Sequence, residues 1–342
     1  MKSDLPIQSD QSLRALNTFG VEARARAYLP VTTPAMLETV HTNAALAGLP
    51  RLVLGGGSNL LLTGDFDGLV LHMLNRGIAL DGEDDRHVFV RAQAGENWHQ
   101  FVLWTLAQQL PGLENLSLIP GSVGAAPIQN IGAYGSELAD YVDSVRAFDF
   151  ECGTIRTLTK DDCAFGYRES IFKQALRGRV VIVAVRFALP KRWQANLRYT
   201  ELARELAAMG ISAPGPADIS TAVIAIRSRK LPDPAVLGNA GSFFKNPVVT
   251  ATQRDALLKR FPQLISYVQD DGRYKLAAGW LIEQCGWKGR SLGAAGVHER
   301  QALVLVNRGG ADGQAILQLA HRIMADVDAR FGVMLIPEPV VL

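Results

Sequence analysis

A short apolar run, Leu52-Val53-Leu54, passes directly into Gly55-Gly56-Gly57-Ser58-Asn59. Three successive glycines lose more chain entropy on folding than other residues would, so their presence needs a reason. A strand feeding such a loop has the shape of an anion nest, in which N–H groups converge on a phosphate because no side chain blocks the approach. The plainer alternative is a tight strand–loop turn, and ligand approach is weighed somewhat above it. The loop is not a dinucleotide fingerprint. That template needs glycine where Leu60 stands, and Leu60-Leu61-Leu62 does not open an amphipathic helix. Nor does Gly-Lys-Ser/Thr follow, as a Walker loop requires. A second stretch, Pro120-Gly121-Ser122-Val123-Gly124-Ala125-Ala126-Pro127, also has little side-chain bulk, and it continues to Gly132-Ala133-Tyr134. It could lie against a flat ring or a pyrophosphate, or be a packed crossing. Two such loops suggest a ligand with a phosphate end and a planar end.

A chain of 342 residues is too long for one ordinary core, so two or three domains are expected. Strand-like and helix-like segments alternate in the first third. Thr33 reads as an N-cap with Pro34 first in the helix, Leu37, Val40 and Ala44 at helical spacing, and Gly48 as its stop. Strands are expected at Leu69–His72, Val88–Ala92, Val142–Phe150, Thr154–Leu158 and Val180–Phe187, and Trp98, Phe101, Val102 and Leu106 share a helix face. Leu276, Gly279, Trp280 and Glu283 read as one helical segment, and Ile316, Leu319, Ile323 and Val327 as the apolar stripe of another. A last strand is expected at Val333–Ile336. The class is mixed α/β or α+β, with an N-terminal ligand domain and a smaller C-terminal one.

A net charge of +2 gives no reason to expect a nucleic-acid or membrane partner. No apolar run reaches spanning length, and Met1-Lys2-Ser3-Asp4-Leu5 lacks a signal-peptide core. Cys152, Cys163 and Cys285 are odd in number and widely spaced, which suits reduced thiols in a cytoplasmic protein. The histidines show no metal-ligand spacing.

Three features carry candidate chemistry. Gly238-Asn239-Ala240-Gly241-Ser242-Phe243-Phe244-Lys245-Asn246-Pro247 sets a hydroxyl, two aromatics, a cation and an amide between punctuating residues. Alone, it reads better as a turn into a buried strand. Arg168, in Phe165-Gly-Tyr-Arg-Glu-Ser170, could clamp a carboxylate bidentately, although a surface ion pair is the blander reading. Glu338, between Pro337 and Pro339, could donate a proton if desolvation raised its pKa; more often such a residue ends a strand at the surface.

Together these stretches resemble one family, the UDP-N-acetylenolpyruvoylglucosamine reductases, from Asn17-Thr-Phe-Gly20 to Glu338. The resemblance is carried by the two glycine loops, Gln129-Asn-Ile-Gly-Ala-Tyr134, Phe165–Phe172, Lys230-Leu-Pro-Asp-Pro234 and Gly241-Ser-Phe-Phe-Lys-Asn-Pro247. It implies an α+β fold. An FAD-binding domain of the vanillyl-alcohol-oxidase type would form two α/β lobes, residues 1–70 with the terminal strand 333–342, and 71–230. An α+β substrate domain would span 231–332. Leu197-Arg198-Tyr199-Thr200 looks like the tyrosine-bearing loop of the longer subtype.

The reaction implied by the resemblance uses non-covalent FAD and NADPH to reduce UDP-N-acetylglucosamine enolpyruvate, with hydride added to the β-carbon of the vinyl ether. Arg168 would balance the substrate carboxylate, Glu338 would bond the enolate oxygen in protonated form, and Ser242 would protonate the α-carbon. Gly55, Gly56, Gly57, Ser58, Asn59, Pro120, Gly121, Ser122, Gly124, Ala125, Gly132 and Ala133 would hold flavin. Tyr134, Tyr199, Lys230, Asn246 and Gln301 would hold the sugar and diphosphate, and the glycines around Ala240 would make room for both ligands. A cytoplasmic monomer with no nucleic-acid or membrane partner is expected. Within the same fold class, a flavin oxidase is the rival, but no tethering histidine or cysteine sits in either glycine loop. A nucleotide-binding protein without chemistry is the rival from another class, and the trio Arg168, Ser242 and Glu338 argues against it. The chain ends four residues after Glu338, where ends commonly fray.

Overall fold

The computed structural model describes residues 5–342. The chain divides into two compact units that interleave in sequence. Among the described residues, one comprises 5–11, 25–56 and 66–229; the other comprises 12–24, 57–65 and 230–342.

Two sheets build the first unit. A four-stranded sheet has the order Gln8–Ser12, Arg24–Val31, Phe66–Met73, Arg51–Leu54. Phe66–Met73 runs parallel to both Arg24–Val31 and Arg51–Leu54, so each pair needs a crossover. Helices lie between Val31 and Arg51, whereas the glycine loop and the short strand Leu60–Leu61 connect Leu54 to Phe66. The sheet's buried centre comes from the inner strands, where Leu29, Leu69, Val70 and Leu71 are fully buried, while the edge strand Gln8–Ser12 is polar and largely exposed. The crossover helix expected from Thr33 to Gly48 is instead two helices, Ala35–Thr42 and Ala44–Ala47. Asn43 breaks it because its side chain accepts from the Ala45 N–H and caps the second helix, which Gly48 closes. Pro34 lies just outside the first helix, which has no side-chain cap.

The second sheet is antiparallel, in the order Thr154–Thr159, Val142–Asp149, Val180–Pro190, His87–Gln93, Ile78–Glu83. One face packs on the helix Trp98–Ala107, where Phe101 and Phe187 stack at 4.8 Å with Trp98 beside them. Leu202, Leu206, Ile219, Val223 and Ile226 form a smaller core between helices Thr200–Ala208 and Pro216–Lys230.

In the second unit, Gly238–Ser242, Val304–Asn307, Ala295–Val297 and Ser291–Leu292 form an antiparallel sheet. The helix Gly313–Phe331 buries Ile316, Leu319, Ile323 and Val327, the expected stripe. Two expectations fail here. Leu276 ends the strand Tyr274–Leu276, and the helix starts only at Ala278. Val333–Ile336 alternates buried and exposed side chains as a strand would, yet forms no ladder. The pairing comes later, where Val340–Val341 runs parallel to Leu60–Leu61.

Candidate active site

The two glycine loops meet within the first unit. A Cβ on Gly55 would lie 2.3 Å from Ser122 Oγ, and one on Gly56 would lie 2.9 Å from the Gly121 Cα. Bare backbone is therefore required for loop–loop contact before any ligand is considered. Gly124 is bare for packing too, since its Cβ would sit 2.5 Å from that of Ala94. Pro120 and Ala125 are exposed, while Ser122 is buried. Beyond Gly56 the chain passes into the second unit. There Gly57 takes φ +61°, with the Leu16 carbonyl oxygen 2.0 Å from where a Cβ would stand. Only glycine suits such a position. Among the described residues the Gly56 and Gly57 N–H groups find no main-chain acceptor. Two such donors in one Gly-rich turn suit the phosphates of a dinucleotide such as FAD.

Arg168 is held in a strained turn. Its φ is +55°, Gly166 and Glu169 bridge around it, and its Nη2 donates to the Gly132 carbonyl at 2.7 Å. Gly132 opens the two-residue strand with Ala133 that pairs with Ser136–Glu137. This expected flavin contact thus also anchors the arginine. A non-glycine residue in the left-handed region costs of order 1–3 kcal/mol, an expense concentrated at functional sites.

Tyr134 (φ +49°) and Tyr199 meet edge to face at 5.2 Å. Asn196 holds the tyrosine-bearing segment down, donating to Gly135 O at 2.9 Å and Ser136 Oγ at 3.0 Å. Burial pushes the Tyr134 phenol up to about 12, against the pull of Arg227. Sequence reasoning did not single out Arg227. Its charge acts on the Tyr134 phenol, its Nε donates to Leu118 O at 3.2 Å, and burial pushes its pKa down. Among the described residues no carboxylate partners it. Buried charges are ordinarily paired, so this cation is suited to an anionic ligand group. Only the arginine's place in an apolar helix could have flagged it.

In the second unit, main chain brings two of the three candidate catalytic residues together. The Glu338 N–H donates to Phe243 O at 2.8 Å, next to Ser242, and Phe244 bridges Pro337. Phe243 and Phe244 are buried anchors, with rings 5.1 Å apart, so the loop cannot slide while Ser242 stays exposed. Asn59 Nδ2 donates to the Glu338 carbonyl at 3.3 Å, and Val340 N–H donates to Asn59 O at 3.0 Å. Ser58 stands next to it in the same turn. The chain end is clamped rather than frayed.

The glycines on either side of Ala240 differ, and Gly241 alone has open space beside it. A Cβ on Gly238 would strike Phe19 O at 2.3 Å, so its space is filled by protein; Gly241 takes φ +68° and accommodates the turn into Ser242. Asn246 Oδ1 accepts from the Ala278 N–H at 2.9 Å, and Gln301 Oε1 lies 3.3 Å from where a Gly279 Cβ would be. Both amides therefore gather at the start of the helix Ala278–Gln284. Lys230 is half-buried at the end of its helix.

Known proteins match the chain along its length. Residues 25–159 match an FAD binding domain model, and 233–342 match the C-terminal domain of UDP-N-acetylenolpyruvoylglucosamine reductase. The reductase of Paraburkholderia phymatum is 58% identical over 340 residues, covering 99% of this chain and 98% of that protein. The chain belongs to the UDP-N-acetylenolpyruvoylglucosamine reductase family. The Burkholderia orbicola member is 58% identical over 342 residues, 99% of this chain and 98% of that protein. A solved reductase from Thermus caldophilus shares the fold, with a TM-score of 0.67 at 24% identity, over 99% of this chain and 98% of that one. The α+β expectation and the flavin-binding N-terminal portion of this reductase family accord with these matches. Among the described residues no helix is long and apolar enough to cross a membrane.

Proposed function

We propose that this chain catalyses the NADPH-dependent reduction of UDP-N-acetylglucosamine enolpyruvate to UDP-N-acetylmuramate through FAD, in peptidoglycan precursor synthesis. Family membership over the whole chain supports the activity. The observation that most directly supports the chemistry is the Glu338–Phe243 main-chain bond, which sets a carboxyl-bearing segment beside Ser242.

FAD, when bound, would supply the hydride, taken from NADPH, that is added to the β-carbon of the vinyl ether. Electron density then accumulates on the substrate's α-carbon and carboxylate. Arg168 balances that charge with a planar, bidentate guanidinium, a task lysine does poorly. The Glu338 carboxyl, protonated, donates to the enolate oxygen. Ser242 Oγ gives its proton to the α-carbon; a hydroxyl is a weak acid, adequate only against so basic a carbanion. Fixed donors aimed at developing charge are usually the largest catalytic term, each about 10²–10³ in rate.

Residues Gly55–Asn59, Pro120, Gly121, Ser122, Gly124, Ala125, Gly132 and Ala133 hold FAD without a covalent link. Tyr134, Tyr199, Lys230, Asn246 and Gln301 hold the sugar and diphosphate, with Tyr199 on the longer subtype's loop. Residues 1–70 with 333–342, and 71–230, serve the flavin; 231–332 serve the substrate. The enzyme works as a cytoplasmic monomer, without nucleic acid or membrane. The test is direct. Purified protein should be yellow and should oxidise NADPH only when the enolpyruvyl sugar nucleotide is present; colourless protein, or substrate-independent oxidation, would refute the reading.

A further inference from the structure

Asn115 is buried in the short turn Glu114–Leu116, and its side chain joins two distant stretches of chain. Its Nδ2 donates to Tyr134 O at 2.9 Å and to Asn196 O at 2.9 Å. An amide nitrogen carries two hydrogens, so both serve these two carbonyls. Turned the other way, the amide would set an oxygen against two acceptors, so one orientation alone works. Asn115 Oδ1 is buried with no hydrogen-bond partner among the described residues. Leaving an acceptor in that state is unfavourable, and an apolar side chain would avoid it. The neighbouring side chain holds the same segment. Glu114, also buried, accepts from Trp193 Nε1 at 2.6 Å and from the Gly112 N–H at 2.6 Å. Trp193, Leu197 and the Tyr134 ring pack together on the small core around Leu202 and Ile226. Residues 193–199 are thus tied to the turn at two points, and Tyr199, still 43% exposed, leads from them into the helix Thr200–Ala208.

We propose that Asn115 is a positioning residue for substrate binding: its amide is the strut that sets the Tyr134 and Tyr199 backbones, and so their rings, as one recognition surface for the sugar nucleotide. Tyr134 takes φ +49°, a left-handed conformation that a bulky residue seldom adopts unaided, and Asn115 bonds its carbonyl. Tyr199 lies three residues beyond Asn196, on a segment that belongs to no sheet. An edge-to-face contact at 5.2 Å and 82° survives only if both backbones stay in place. Holding both from one buried amide forms the surface before ligand arrives, so its ordering entropy is lost in folding rather than on binding. Arg168 is spared. Its anchor Gly132 has its own strand pairing with Glu137, so loss of the strut should weaken substrate binding and leave the chemical step intact.

This inference rests on the reading that Tyr134 and Tyr199 bind substrate. Steady-state kinetics, and calorimetric titration of oxidised holoenzyme with the enolpyruvyl sugar nucleotide, test it with Asn115→Leu, Asn196→Ala and Tyr199→Ala. Leucine keeps the bulk of Asn115 and has no polar hydrogen. Asn115→Leu should raise Kd and KM about tenfold while kcat stays within about twofold of wild type. Asn196→Ala, at a half-buried position where folding is not at risk, removes the bonds to Gly135 O and Ser136 Oγ and should raise KM severalfold. Added to Tyr199→Ala, Asn115→Leu should raise KM by less than it does in wild type, because part of its effect passes through that ring. The proposal is overturned if Asn115→Leu and Asn196→Ala bind substrate like wild type while Tyr199→Ala binds weakly. It is overturned equally if kcat falls in step with the rise in KM, or if the effects of Asn115→Leu and Tyr199→Ala multiply in full. Wild-type binding by Tyr199→Ala would instead remove the substrate reading of that tyrosine, and this inference with it.

Discussion

At the scale of the residue, Gly55 separates two reasons for a glycine that look identical in sequence. Its missing Cβ is required by Ser122 Oγ at 2.3 Å, with Ser122 Cβ at a tolerable 3.4 Å. Gly55→Ala should therefore destabilise apo-protein by about 1–3 kcal/mol, as overpacking does. Ser122→Ala in the same chain should return most of that loss, as urea unfolding would show. Gly57→Ala should not be rescued this way, because a left-handed backbone and the Leu16 carbonyl both oppose it. The three-glycine run announced that something comes close. That protein fills part of the space, and that Gly56 is the residue left presenting its N–H, depends on contacts between stretches some 65 residues apart in the chain.

At the scale of the element, the last residues determine where Glu338 stands. Thr63 N–H and Oγ1 both donate to Leu342 O at 2.6 Å, and Leu342 N–H donates to Leu61 O at 3.0 Å. Deleting 340–342 removes these bonds and the Val340–Asn59 bond, a loss of about 2–6 kcal/mol for four bonds at about 0.5–1.5 kcal/mol each. Enolpyruvyl-dependent turnover should fall by at least about tenfold while FAD binding persists; turnover at the wild-type rate in the truncated chain would show that the clamp is not needed. Val333–Ile336 shows what sequence can reveal of an element. The alternation was legible because burial follows the two-residue period. The missing ladder was not, because pairing depends on a partner edge. Asn43 is similar: an apolar periodicity ran on to Ala44, and a local side-chain cap overruled it. The apolar strands and the stripe of Gly313–Phe331 were readable because packing alone sets them. Arg227 was hidden, since one arginine in a helix gains meaning only from burial without a carboxylate.

At the scale of the whole molecule, stability should be confined from both sides in pH. The Arg179 and Arg156 guanidiniums on buried Asp149 hold its carboxyl well below the usual range, with Arg179 the stronger. A carboxyl depressed in the folded state contributes stability above its unfolded value, about 4, and that contribution drains as pH falls toward the folded value. Burial acts oppositely on Cys163, Tyr134 and Tyr141, pushing each up to about 12. The unfolded chain then ionises first, from about pH 8.5 for the thiol and about 10 for the phenols, so stability should fall from there to about pH 12. Urea midpoints between pH 8 and 12 check this, and Tyr141→Phe should flatten the upper part of the decline; a flat profile in wild type would contradict it. Across the molecule, the central claim is that the loop beginning at Gly238 holds a proton donor for the substrate's α-carbon. Anaerobic stopped-flow of Ser242→Ala tests it by following flavin absorbance through each half-reaction. NADPH should reduce the flavin at the wild-type rate, and reoxidation by the enolpyruvyl sugar nucleotide should slow by about 10²–10³. Wild-type reoxidation, or equal slowing of both halves, would contradict that role for Ser242.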